Sequence, residues 1–168
     1  MATDEVGTYR APIEVQLAVF VDEHRAMLRD SLTGLTEAEV RERLVPSSTT
    51  LLGLVKHATF VERVWFEEAV TGRSRDELGI EAGPEESFHL AADDTIESVL
   101  DAHELACENS RANVAGLGLD DELPGNRRGA LPLRWVYLHV LRELAQHCGH
   151  ADILREQILA RRQDRTRP

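Results

Sequence analysis

Apolar residues recur at steps of three and four along almost the whole chain, and no run of β-branched residues alternates between two faces. A stripe at helical spacing must be buried against another stripe, so the pattern restricts the fold to helices packed on helices. Four long helices are expected. The first runs from Ile13 to about Leu32, with Ile13, Leu17, Phe20, His24, Met27 and Leu28 as its stripe, and Gly34 closes it. Thr36 and Glu39 have capping-box spacing for a short helix. The second long helix follows Pro46 and the Ser47–Thr50 cluster, carries Leu54, His57, Ala58, Val61 and Trp65 on one face, and stops near Gly72. The third opens on the capping-box spacing of Asp94 and Glu97 and runs to about Leu117. The fourth extends from about Leu133 to Ala160, with Leu133, Val136, Val140, Glu143, His147, His150 or Ala151, and Leu154 turned inward.

These elements predict an all-α fold, a four-helix bundle in one domain spanning 1–168, with tails at about 1–10 and 162–168. The long connection from Gly72 to about Ala92 permits a crossover between helices two and three. It feeds an acidic stretch, Asp76 to Asp101, that holds no Lys or Arg and reads as a solvated loop and helix start.

The balance of 19 Lys and Arg against 30 Asp and Glu leaves a net charge of −11. Such a chain repels phosphate backbones and anionic bilayers, which argues against nucleic-acid and membrane partners. No segment approaches the roughly 20 apolar residues that span a bilayer. The first residues carry neither a basic start nor an apolar run, so no signal peptide is expected. Cys107 and Cys148 are too few for a disulfide framework and suit the cytoplasm. A chain of this length can bury enough surface to fold unaided, so a metal site in it would serve function before structure.

The fourth helix places a carboxylate and an imidazole on its inward stripe. Glu143 and His147 are four residues apart and emerge from one face. His57, on the core stripe of helix two, can supply a third ligand from across the bundle. Two imidazoles and one carboxylate leave open coordination positions, as catalytic metal centres do. Each part has a plainer reading: a Glu-x-x-x-His pair on a helix is commonly a surface pair, and a core histidine is commonly a packing residue. Their convergence on apolar stripes strengthens the metal reading, and spacing alone goes no further.

The segments HATFVERVWF around His57 and HVLRELAQHCGHADILRE from His139 to Glu156 resemble the DinB-like superfamily of metal-binding four-helix bundles, and within it an actinobacterial subgroup. The resemblance runs from Gly34 through Leu159. It implies one metal ligand from helix two, matched by His57, and a pair from helix four whose last member is matched by His147. The superfamily's middle histidine is replaced by Glu143, a departure that resembles the mycothiol-dependent maleylpyruvate isomerases. The implied cofactor is a divalent metal ion, zinc first, with nickel or iron as alternatives. Mycothiol or a similar low-molecular-weight thiol is the implied cosubstrate, bound at the open position, deprotonated, and used for S-transfer to an electrophile or for isomerisation. Partners are then a small-molecule thiol and an electrophile, and a homodimer fits such bundles. Two rivals remain: a non-haem Fe(II) oxygenase-like enzyme, and a non-catalytic metal or small-ligand sensor or carrier.

Other residues have weaker claims. His24 could face the pocket, His139 could be a ligand or support one, and His150 could be a fourth ligand or line the pocket, against packing, a core hydrogen bond or ordinary burial. Arg25 could receive a cosubstrate carboxylate. Arg142 and Arg155 read as solvated positions, Cys107 and Cys148 as buried thiols, and Trp65 and Trp135 as packing residues. His89 and His103 have no supporting pattern.

Overall fold

The computed structural model describes residues 5–166. In chain order these form α1 (Glu5–Thr8), α2 (Ile13–Asp30), α3 (Glu37–Val40), α4 (Leu51–Arg63), a π-helical turn (Val64–Glu68), α5 (Ala69–Thr71) and α6 (Arg75–Leu78). A 3₁₀ turn (Glu86–Phe88), α7 (Ile96–Val114), the strands β1 (Glu122–Leu123) and β2 (Leu131–Pro132), and α8 (Leu133–Thr166) complete the chain. The architecture is a four-helix bundle of α2, α4 with its π-helical and α5 extension, α7 and α8, as the periodicity predicts.

Local chemistry sets the helix starts. Thr50 accepts the Gly53 N–H at 3.0 Å and caps α4. Thr36 and Glu39 form the expected capping box of α3. The box that opens α7 is Thr95 with Ser98 rather than Asp94 with Glu97. Asp94 instead receives Lys56 at 2.8 Å and the Ala91 N–H at 2.7 Å, which ties the connection to α4.

Packing runs around the bundle: α2 lies along α8, α8 meets α4, and α4 packs on α7. Ion pairs of Arg111 with Asp22 and of Arg29 with Glu104 link α7 back to α2. The core holds Leu54, Ala58 and Val61 of α4 with Val136, Val140, Leu144, Ala151 and Leu154 of α8. On α8 the stripe passes through Leu144 and Ala151, while Glu143 flanks it and His150 is exposed.

The stripe of α2 is one residue displaced from the expectation. Leu17, Val21, Arg25 and Leu28 face inward, whereas Ile13, Phe20 and Met27 are exposed. The cause is a buried ion pair. Arg25 donates from Nε to Glu62 Oε1 at 2.9 Å and from Nη2 to Oε2 at 2.5 Å, and the Glu62 side chain is wholly buried. A charged residue thus occupies a core position that an apolar pattern skips.

Two further differences concern ends and loops. Helix α8 continues beyond Ala160 to Thr166, and Arg162 grips Glu39 with two bonds of 2.7 and 2.6 Å, so the C-terminal tail is mostly helix. The N-terminal tail contains the turn α1, and its first four residues, with 167–168, lie outside the described residues. The glycine-rich stretch before α8 is a small antiparallel hairpin, Glu122 opposite Pro132 and Leu123 opposite Leu131. Among the described residues no helix is long and apolar enough to cross a membrane.

Candidate metal centre

His57 points from α4 toward Glu143 and His147, one turn apart on α8. Each offers a donor atom, and the three atoms lie within 4.8 Å of one another. Donors sharing one ion at about 2.1 Å each stand at most about 4.2 Å apart, so the three need draw in by less than an ångström or so. Both imidazoles are buried and Glu143 is half-buried. Burial, with His147 close by, pushes the His57 pKa down to about 3; burial, with His150 close by, lowers that of His147 to about 4. Both rings are therefore neutral near pH 7, the form in which imidazole donates a lone pair.

The orientation of His57 follows from a donor count. Ser87 Oγ donates its single proton to Pro84 O at 2.6 Å and lies 2.7 Å from His57 Nδ1. A carbonyl only accepts, so Ser87 must accept from His57, which fixes the proton on Nδ1 and leaves the Nε2 lone pair for the centre. Phe88 stacks on the same ring at 4.0 Å and 11°. Gly53 admits this cover, because a Cβ there would stand 2.8 Å from Phe88 O. His147 Nδ1 is a buried nitrogen with no hydrogen-bond partner among the described residues. A fixed lone pair, an orphaned nitrogen and a carboxylate suit a borderline divalent cation, so the donor set fits the metal that the sequence suggested.

Beside the three donors lies a cavity of about 180 Å³. Trp65 and His139 form its aromatic wall at 4.2 Å between rings, and Trp135 stacks behind His139 at 5.0 Å and 8°. The π-helical turn carries Trp65 and Glu68 to this wall; such turns are frequent at functional sites. Arg142 donates from Nη2 to His139 Nδ1 at 2.8 Å, and a guanidinium only donates, so His139 keeps its proton on Nε2. That N–H faces Glu143 Oε1 at 3.9 Å. Burial, opposed by Glu143, holds the ring below the usual histidine range. Asn126, Arg127 and Arg128 of the β1–β2 loop close the remaining side.

The structure brings His57, Glu143 and His147 together with His139 beside them. It keeps His24 and His150 apart. The His24 ring bonds its own helix through Phe20 O at 2.6 Å and does not line the cavity, a consequence of the displaced α2 stripe. His150 lies 5.7 Å from the His147 ring but borders a separate pocket with Val45 and Ile153. Arg25 is committed to Glu62 and is not available to a cosubstrate. Cys107 and Cys148 are free and buried, and burial raises their thiols to about 12 and about 11. Ser87, Arg127 and Arg128 were not expected at the site. A Pro-x-x-Ser turn and an Asn-x-x-Gly turn were their only traces in the sequence.

A family model described as mycothiol S-transferase matches residues 16–160. The chain belongs to the mycothiol S-transferase family. That match takes in most of each of the four long helices of the bundle, and with it the DinB-like resemblance of the two histidine segments becomes a family assignment. A solved structure described as a conserved protein from Enterococcus faecalis is similar, with TM-score 0.65 at 12% identity, over 89% of this chain and 99% of that one. At that identity the likeness concerns the fold alone. No curated protein matches the chain.

Proposed function

We propose that this mycothiol S-transferase family member binds one divalent ion, zinc first, through His57 Nε2, a Glu143 carboxylate oxygen and a ring nitrogen of His147, and there activates a mycothiol-like thiol for S-transfer or isomerisation. The observation that carries the reading is the convergence of two neutral imidazoles and a carboxylate at the edge of a cavity. The bound ion would supply Lewis acidity that keeps the thiol deprotonated at neutral pH.

The chain's own residues do the rest. Ser87 holds the His57 tautomer, and Phe88 shields that ring from water. His139, oriented by Arg142, turns its Nε2–H toward Glu143 at 3.9 Å, longer than a hydrogen bond, and is not free to take a proton at Nδ1. Trp65 supplies an apolar wall against which an electrophile can lie close to the thiol. The two cysteines, buried with raised pKa values, stay protonated and leave the nucleophile's role to the small thiol. Free buried cysteines also agree with a reducing cytoplasm.

Elemental analysis of the purified protein beside His147→Ala, followed by loss of free mycothiol thiol against a panel of electrophiles, tests the reading. One metal per chain, lost in the variant together with turnover, is expected. Stoichiometric metal retained in the variant overturns the ligand set. Metal without thiol turnover removes the transferase reading in favour of a carrier or sensor, and oxygen-dependent turnover with iron alone favours the oxygenase.

A further inference from the structure

Arg127 and Arg128 stand next to each other on the β1–β2 loop and line the cavity beside Glu143 and Trp65. Neither guanidinium has a carboxylate or hydrogen-bond partner among the described residues, whereas their basic neighbours are engaged. Arg75 bonds Glu68 at 2.9 Å and Ala82 O at 2.8 Å; Arg63 bonds Glu67 at 3.1 Å; Arg142 bonds His139. In a chain of net charge −11, two adjacent like charges left unpaired at a cavity mouth form a local positive spot against the prevailing field.

The loop is built to hold them there. The Gly125 N–H donates to Ala69 O at 2.9 Å, and the backbone approaches so closely that a Cβ on Gly125 would stand 2.0 Å from Glu68 O. The Arg128 N–H then donates to Asn126 Oδ1 at 2.9 Å, and the Gly129 N–H, at φ +95°, to Asn126 O at 2.9 Å. An Asx turn anchored on α5 thus holds both residues, exposed to solvent, at the edge of the cavity. The Arg128 guanidinium carbon lies 5.9 Å from the Trp65 ring centre, a stacking position that leaves its N–H edge open.

We infer that Arg127 and Arg128 form a carboxylate-recognition element that selects an anionic small-molecule cosubstrate and orients it across the cavity from the His57, Glu143, His147 triad. The guanidinium fork matches a carboxylate in two bonds. Glu68 and Glu143 border the same cavity, which disfavours two charges concentrated on one head group, as in a phosphate dianion, and suits the single charge of a carboxylate group. The inference deepens the proposed thiol chemistry and rests on it for the meaning of the site, while the contact itself is testable apart from it.

The zinc-loaded full chain is compared with R127Q/R128Q after both have been shown to carry equal metal. Glutarate is titrated against the emission of Trp65 and Trp135, the chain's two tryptophans, both at this wall. A saturable change in the parent, weakened at least about tenfold in the variant, is expected from loss of two charge-assisted contacts. An equal response in both proteins, or none in either, overturns the inference. The cobalt(II)-loaded proteins, titrated with mercaptoacetate and 2-mercaptoethanol and read by the thiolate-to-cobalt absorption band, then separate the carboxylate's two sources. A preference for mercaptoacetate that the variant loses puts the carboxylate on the thiol. Equal affinity alongside arginine-dependent glutarate binding puts it on the electrophile. If neither thiol disturbs the cobalt band, thiol activation fails, and the glutarate result alone decides for or against the arginines.

Discussion

Ser87 Oγ accepts the Nδ1 proton of His57 while handing its own to Pro84 O, so a loop residue thirty positions away decides which nitrogen of the helix residue faces the centre. Ser87→Ala should lower metal affinity about 10–100-fold, the usual effect of removing a ligand's hydrogen-bond partner, with little change in helix content. Competition against a chromophoric chelator measures the affinity, and circular dichroism measures the fold. Unchanged affinity would remove Ser87 from the centre.

Gly125→Ala should unseat the β1–β2 loop, because the new Cβ meets backbone atoms of Glu68 and Gly72 that cannot rotate away. A loss of about 1–3 kcal/mol is expected, as for other overpacked sites. In a chain of this size that corresponds to a thermal midpoint lowered by several degrees, about 2–4 °C per kcal/mol. A midpoint equal to that of the parent would show that the loop relaxes freely.

The Arg25–Glu62 pair should be strongly coupled. Glu62→Leu alone leaves the buried Arg25 guanidinium with only its Asp22 contact at 2.7 Å and should cost about 3 kcal/mol, whereas the double variant R25M/E62L should recover most of that loss. A double-mutant cycle by urea denaturation gives the coupling directly. Additive losses would show that the two side chains act independently.

His103 is fully buried in α7, where burial and the charges of Arg29, Arg25 and Arg111 lower its pKa to about 3, against 6.5 in the unfolded chain. Between those values the unfolded state binds the extra proton, so the neutral ring's contribution to stability is complete above pH 6.5 and is lost as pH falls toward 3. His103→Leu should flatten the decline by up to about 1.4 kcal/mol per pH unit across that window. Denaturant midpoints at pH 7, 6, 5 and 4 for the two proteins check the sign and the slope; parallel curves would contradict it.

The second helix was readable from sequence because every member of its stripe, from Leu54 to Trp65, is either apolar or the candidate ligand His57, so periodicity and burial agree. Helix α2 was not, because Arg25 interrupts the apolar repeat and its partner Glu62 lies 37 residues away on another helix. The exposed Phe20 and Met27 then completed a false stripe, and His24 went with it. Glu143 and His147 were singled out by their spacing together with the family resemblance, and the structure brings them beside His57. Ser87, Arg127 and Arg128 were hidden for another reason: their places depend on backbone approaches at Gly53 and Gly125, which are tertiary events with no local signature.

The π-helical turn at Val64–Glu68 holds one residue more than an ordinary helical turn needs. The wide turn absorbs that extra residue locally, where an ordinary helix would pass it on as a rotation of about 100° in everything downstream. Glu68 closes the turn, and the Ala69 carbonyl that anchors the Gly125 loop follows directly after it. The width of this turn is therefore a setting in its own right: tightening it to an ordinary helical turn with every residue kept would re-aim two arginines without altering either of them.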